Sequence, residues 1–370
     1  MQPRTEQEST EHRSTEHRST GHRSTEQPPP DNPLRWLRVL DGGLATELEF
    51  LGADLSGPLW SAHVLENQPD LIVAVHRAYL EAGAGCIATA SYQVSRRGYA
   101  ELGLPPERAD AALRRAVALA RQARAEHAAA HPATQAGTHA AAAQPGTQAA
   151  GPQALVAASL GPYGAALHNG AEYHGNYDCS FADLIHFHRE RLAVLADCQP
   201  AADLLAFETI PSLEEARAIL SALAEWPSLR AWLSFTCRDD RHLAHGEPLG
   251  DAVAALLDEF AVEQQDAPEQ NTPQLLGIGI NCIPPQRVSA LLGQLRSRCP
   301  LPILVYPNSG EQWDADARRW TGSAEAFEQA AAGWFALGAD VVGGCCRTRP
   351  EHIRSVARAV AARAGSQPLR

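Results

Sequence analysis

The chain has 370 residues and a formal net charge of −12, enough for one large α/β barrel or two ordinary domains. That acidity argues against a broad basic surface for nucleic acid or anionic membranes. Lysine is absent, so all 31 Lys+Arg cations are arginines, which excludes Schiff-base aldolases, pyridoxal-phosphate enzymes and P-loop nucleotide hydrolases, each needing a lysine amine.

The first 31 residues carry a short repeat, STEHR at 9–13 and 14–18 and STGHR at 19–23. The segment is polar and unable to bury a core, so we read it as a disordered tail, its histidines as part of a solvated repeat. There is no apolar signal-peptide core at the N-terminus and no run of about 18 apolar residues, so a cytoplasmic chain without membrane spans is expected. In that setting the eight cysteines are expected to be buried, catalytic or metal-binding rather than disulfide-paired.

From Asn32 onward, short apolar runs alternate with amphipathic stretches. Strands are expected at 36–40, 86–90, 155–160, 204–207, 231–235, 275–280, 303–306 and 340–343. Helices are expected at 70–82, 107–126, 181–196, 213–226, 251–264, 285–298, 324–337 and 350–364. Ser212 with Glu215 three residues on reads as a capping box, and Gly83 and Gly338 as helix C-caps. The Ala-, Gln- and Thr-rich stretch over 128–152 reads as a disordered surface insertion, which costs little closure entropy. Strand–helix units in this number predict a (β/α)8 TIM-type barrel, one domain over 32–365. A doubly wound sheet is second, since no GxGxxG follows a first strand.

In such a barrel the site lies at the C-terminal ends of the strands. Residues expected there are Asp41-Gly42-Gly43, then Thr89, Ser91, Tyr92 and Gln93, then Glu208, then Asn281-Cys282. Tyr306, Asn308 and Glu311 follow, and Gly343-Gly344-Cys345-Cys346 closes the set. Neighbouring side chains on a strand face opposite ways, so two adjacent thiols reach one site only if the backbone turns. We assign that turn to the conformational freedom of Gly343 and Gly344. Cys282, Cys345 and Cys346 together form a soft donor set suited to Zn²⁺, with a fourth position left for water or substrate. On the residues alone, small buried cysteines closing a strand, a redox pair, or a structural zinc site also fit. Cys86, Cys198 and Cys299 read as packing residues, and Cys237 lies just past a strand near the rim.

The segments LDGGLATELE, TASYQ, FETIPSLEEA, GINC, YPNSGE and GGCCRT resemble the homocysteine S-methyltransferase family across 34–364, the insertion excepted. The likeness is closest to the short, single-domain branch that uses S-methylmethionine. It implies a (β/α)8 barrel holding zinc through Cys282, Cys345 and Cys346. It further implies methyl transfer from a sulfonium donor, S-methylmethionine or to a lesser degree S-adenosylmethionine, to L-homocysteine, giving methionine. Selenocysteine or another small thiol is an alternative acceptor. Glu208 is the candidate partner of the homocysteine ammonium, a role the resemblance supports. By charge and shape, Asp41 orients the amino acid or its sulfur, unless it only closes an Asx turn with Gly42 and Gly43. Thr89 and Ser91 are candidates for the carboxylate, and Tyr92 and Tyr306 offer aromatic faces to the sulfonium. Glu311 adds charge attraction, with Gln93 and Asn281 as further contacts; Asn308 and Trp60 read equally as packing or loop residues. The loop at 172–177 is a lid or donor-pocket wall. With so short a sequence after the last helix, neither the C-terminal arm of betaine-dependent relatives nor folate and cobalamin domains are expected. Small molecules are the expected partners, and the oligomeric state is not legible.

Overall fold

Strands buried on both faces need continuous apolar runs, and the chain supplies them in parallel order. The computed structural model describes residues 32–55, 61–132, 153–266, 274–314, 319–321 and 324–365. The tail at 1–31, Trp60 and the insertion beyond residue 132 lie outside them. Seven strands form one curled parallel sheet: β1 (Cys86–Ala88), β2 (Leu155–Leu160), β3 (Leu204–Ile210), β4 (Ala231–Phe235), β5 (Leu275–Asn281), β6 (Ile303–Tyr306) and β9 (Val341–Val342). Between β6 and β9 stands a separate antiparallel pair, β7 (Gln312–Asp314) and β8 (Arg319–Thr321).

Helices separate the strands. They are α1 (Leu44–Phe50), α2 (Ser61–Asn67), α3 (Pro69–Glu81), α4 (Arg96–Glu101), α5 (Pro106–Ala130) and α6 (Phe181–Ala196). Then come α7 (Leu213–Leu223), α8 (Leu249–Asp266), α9 (Val288–Arg298), α10 (Ala324–Ala336) and α11 (Pro350–Gly365). The architecture is α/β and TIM-like. No described helix is long and apolar enough to cross a membrane.

The expected first strand at 36–40 is reduced to two bridges, Val39 to Val342 and Leu40 to Cys86. Leu40 N donates to Val342 O at 2.9 Å and Asp41 N to Cys86 O at 3.1 Å, so this short segment bonds to both edge strands. A 3-10 turn (Pro33–Arg35) immediately precedes the expected strand, because Asn32 caps that turn by accepting from Leu34 N at 3.0 Å. Asn32 Nδ2 also donates to Leu276 O at 2.8 Å, which anchors the turn on β5.

Strand alternation then sorts the side chains. Leu155 and Ala157 on β2, Leu204 and Ala206 on β3, Trp232 on β4 and Leu304 on β6 pack inward with Leu34, Leu37 and Leu40. The outer positions pack against the helices in a second, larger core. One or two inward positions further along each strand are polar: Ser159, Glu208, Ser234 and Tyr306. The interior is therefore sealed by aliphatic groups at one end and furnished for chemistry at the other.

Gly83 and Gly338 follow α3 and α10 with φ of +101° and +106°, as expected of helix C-caps. Ser212 caps α7 by accepting from Glu215 N at 3.1 Å, but Glu215 does not complete a capping box. Its carboxylate is drawn instead to Tyr163 N, Tyr177 and His188. The full capping box is at Ser180 and Asp183, before α6. Helix α5 continues to Ala130, four residues past its expected end, since alanine is the best helix former. The expected helix at 285–298 opens as a 3-10 turn (Pro285–Arg287) before α9.

Candidate active site

The C-terminal ends of the strands open into a cavity of about 900 Å³. Asp41, Thr89, Tyr92, Gln93, Glu208, Asn281, Tyr306 and all three expected ligand cysteines line it. Among the described residues, the four non-glycine residues with left-handed φ are His168 (+53°), Thr209 (+63°), Cys282 (+53°) and Arg347 (+66°), and all four line this cavity. Side chains disfavour that conformation, so the surrounding hydrogen bonds hold the strain at the site.

The sulfurs of Cys282, Cys345 and Cys346 lie within 4.8 Å of one another, near enough to share a metal ion. Cys282 and Cys346 are 3.6 Å apart. Cys282 is buried, and the other two are half-buried. Thiol hydrogen bonds from Cys282 and Cys345 hold Cys346 well below the ordinary thiol range. The same bonds, to Cys282 first and then Cys346, together with burial, push Cys345 up. The three thiols thus share a network of mutual hydrogen bonds. Soft anionic sulfur in threes, with room beside it, fits a zinc ion.

The glycines before the cysteine pair act through space rather than backbone freedom, which corrects the expectation. Neither has a left-handed φ. A Cβ on Gly343 would stand 2.6 Å from Leu40 Cβ, and one on Gly344 would run into Thr348. The turn is held by its neighbours: Gly344 N donates to Asp41 O at 2.9 Å and Cys345 N to Pro307 O at 2.8 Å. Arg347 N donates to Thr46 Oγ1 at 2.9 Å.

Glu208 projects from β3 at a register shift between Phe207 and Ile210. Thr209 N donates to Asn281 Oδ1 at 2.7 Å, and Asn281 Nδ2 donates to Thr209 Oγ1 at 2.9 Å. Asn281 thus spends its amide on the irregular turn that carries Glu208. Ser159 Oγ donates to Glu208 Oε1 and Tyr306 hydrogen-bonds to the same carboxyl. Burial pushes Glu208 up to about 7, against these hydrogen bonds. Asp41 accepts from Ala88 N at 2.7 Å, not from its own glycines, so the Asx-turn alternative is not what holds it. Burial raises its pKa well above the usual carboxylate range, and the Glu208 charge adds to this.

Other expected residues fall differently. Ser91 does not line the cavity: its hydroxyl donates to Ser159 O at 2.8 Å and meets Thr89 Oγ1 at 2.6 Å. Asn308 and Glu311 are also outside the lining, Asn308 held by its backbone on Ile283 and Glu311 paired with Arg347 at 3.3 Å. Tyr306 lies deep, its hydroxyl accepting from Trp232 Nε1 at 3.1 Å, so it supports Glu208 rather than offering an open face. Cys237 is buried away from the cavity, and burial pushes its thiol up to about 12.

Sequence reasoning did not single out Ser159, His168, Trp232 or Arg347, all of which line the cavity. A serine near the end of an apolar strand was the available signal for Ser159. The expected wall at 172–177 supplies Glu172 and Tyr173, and the Tyr173 hydroxyl is 3.4 Å from Cys282 Sγ.

Comparison with known proteins fits this geometry. The family model for homocysteine S-methyltransferase matches residues 38–360. Homocysteine S-methyltransferase of Escherichia coli strain K12 is 42% identical over 335 residues, covering 88% of this chain and 98% of that protein. Homocysteine S-methyltransferase YbgG of Bacillus subtilis strain 168 is 41% identical over 323 residues, 87% of this chain and 93% of that one. The crystal structure of homocysteine methyltransferase MmuM from Escherichia coli in metallated form matches with a TM-score of 0.70 and 39% identity, covering 87% of this chain and 96% of that chain. With its three sulfurs and Glu208 lining one cavity and a family match spanning most of its length, the chain belongs to the homocysteine S-methyltransferase family.

Proposed function

We propose that this enzyme moves a methyl group from a sulfonium donor, S-methylmethionine, to the thiol of L-homocysteine, within a (β/α)8 barrel spanning 32–365. The observation that carries the reading is the trio Cys282, Cys345 and Cys346 within 4.8 Å, in a cavity that also holds half-buried Glu208. Zinc held by these sulfurs supplies one thing, a substrate thiol kept as thiolate at neutral pH. Glu208 receives the homocysteine ammonium, and Asp41 borders the same floor. The thiolate attacks the methyl carbon, a new S–CH3 bond forms, and the old bond's electron pair returns to the donor sulfur. The donor leaves as a neutral thioether, so no proton has to be delivered to it. The residues contribute mainly by holding both sulfurs and the carbon in line.

Charge supports a cationic donor. Asp41, Glu49, Asp54, Glu172 and Glu208 line the cavity, whereas its guanidinium, Arg347, is paired with Glu49 at 3.7 Å and Glu311 at 3.3 Å. S-methylmethionine carries a net positive charge, betaine none, and methyltetrahydrofolate is anionic. A panel of these donors and S-adenosylmethionine with homocysteine tests the reading. Methionine should form fastest from S-methylmethionine and not detectably from the folate; a preference for betaine or the folate would overturn it.

A further inference from the structure

Three residues that line the cavity each carry a buried side-chain atom with no hydrogen-bond partner among the described residues: Gln93 Oε1, His168 Nε2 and Glu172 Oε2. Glu172 is the acid among them. Glu208 differs, since Ser159 and Tyr306 already occupy its carboxyl. A desolvated carboxylate oxygen left without a partner is costly unless a ligand compensates it.

Glu172 is also firmly placed. It sits in the 3-10 turn Ala171–Tyr173, next to the tyrosine whose hydroxyl meets Cys282. Both feet of this loop are tied to one buried carboxylate: Glu215 accepts from Tyr163 N at 2.5 Å and from Tyr177 OH at 3.0 Å. His188 Nε2 lies 3.0 Å from the same group, and Arg191 Nη2 is 2.8 Å from His188 Nδ1. Arg191 Nη1 donates to Gly161 O at 2.9 Å just before the loop. Inside the loop, a Cβ on Gly164 would stand 2.5 Å from Glu172 N, so the chain is packed close there. Such a loop presents its acid at a fixed point of the wall.

We propose that Glu172 selects the methyl donor by its charge, the carboxylate countering the positive sulfur of the sulfonium. The inference rests on the methyl-transfer reading above. A sulfonium has no N–H or O–H at sulfur, so it pairs with a carboxylate through charge alone and needs no hydrogen-bond geometry. Attack by the thiolate discharges the sulfur. Much of the positive charge is still on sulfur in the transition state, so Glu172 holds bound donor and transition state nearly alike, and its loss appears in donor KM and not in kcat.

The test compares wild type, Glu172→Asp and Glu172→Gln in steady-state kinetics with S-methylmethionine and homocysteine, adding methionine as a competing ligand. Methionine keeps the donor skeleton with a neutral sulfur. Glu172→Gln is expected to raise the donor KM at least about tenfold, with kcat, homocysteine KM and methionine inhibition each within about twofold. Glu172→Asp should fall between. An unchanged donor KM, or donor, homocysteine and methionine affinities falling together, would overturn the proposal. A wild type that transfers no methyl from the sulfonium would sink the function itself, whereas an active wild type matched by Glu172→Gln sinks only the role of Glu172.

Discussion

Glu208 shows how one residue's surroundings set its chemistry. Burial pushes its pKa up to about 7, so its proton is in play near neutrality. The homocysteine ammonium stays charged across this range and needs the carboxylate form. Homocysteine binding should therefore weaken as pH falls from 8 to 6, approaching a tenfold loss per unit below the pKa. Protons also compete for the thiolates, so the comparison is with Glu208→Gln at verified zinc content. The variant should bind weakly and with a shallower slope; equal slopes by calorimetry would refute the pairing. The stability sign runs the other way. A folded-state pKa above the unfolded value makes Glu208's contribution greatest below the ordinary carboxylate range, and it is lost as pH rises through about 7. The sequence disclosed this glutamate and the three cysteines by their chemical type at strand ends. It gave no sign of the left-handed φ at Cys282 or Thr209, because those angles are imposed by neighbours distant in the chain.

At the scale of elements, β3 outruns its expected end at residue 207 and continues to Ile210 through an irregular register. The irregularity exists because Asn281 on β5 clasps Thr209 from both sides, a pairing 72 residues apart that no local pattern reveals. Asn281→Ala is predicted to cost about 1–3 kcal/mol of stability, read by denaturant titration, because the buried Thr209 N–H loses its acceptor. It should also raise homocysteine KM through a displaced Glu208 while zinc stays bound. An unchanged KM would separate the turn from substrate binding. Helices α1, α2 and α4 escaped sequence reading for a simpler reason: at seven, seven and six residues they are too short to show a helical period. The loop acids and tyrosines above the cavity lack any period, so their placement is legible only once the strands are in position.

For the whole molecule, the alternation of apolar runs and amphipathic stretches was the legible part, since strands covered on both faces read as continuous aliphatic segments. The short first strand was over-read, because Asn32 and Pro33 turn its expected approach into a 3-10 turn that plugs the interior with Leu34 and Leu37. That plug at one end and the three sulfurs at the other give the sheet its direction of use. The central claim is that these sulfurs hold the metal on which methyl transfer depends. Metal analysis of purified protein, run beside methionine formation from S-methylmethionine and homocysteine, tests it in wild type and Cys345→Ala. Wild type should carry about one zinc per chain and form methionine, while a folded Cys345→Ala should lose metal and activity together. Methyl transfer surviving in a zinc-free Cys345→Ala would contradict the account.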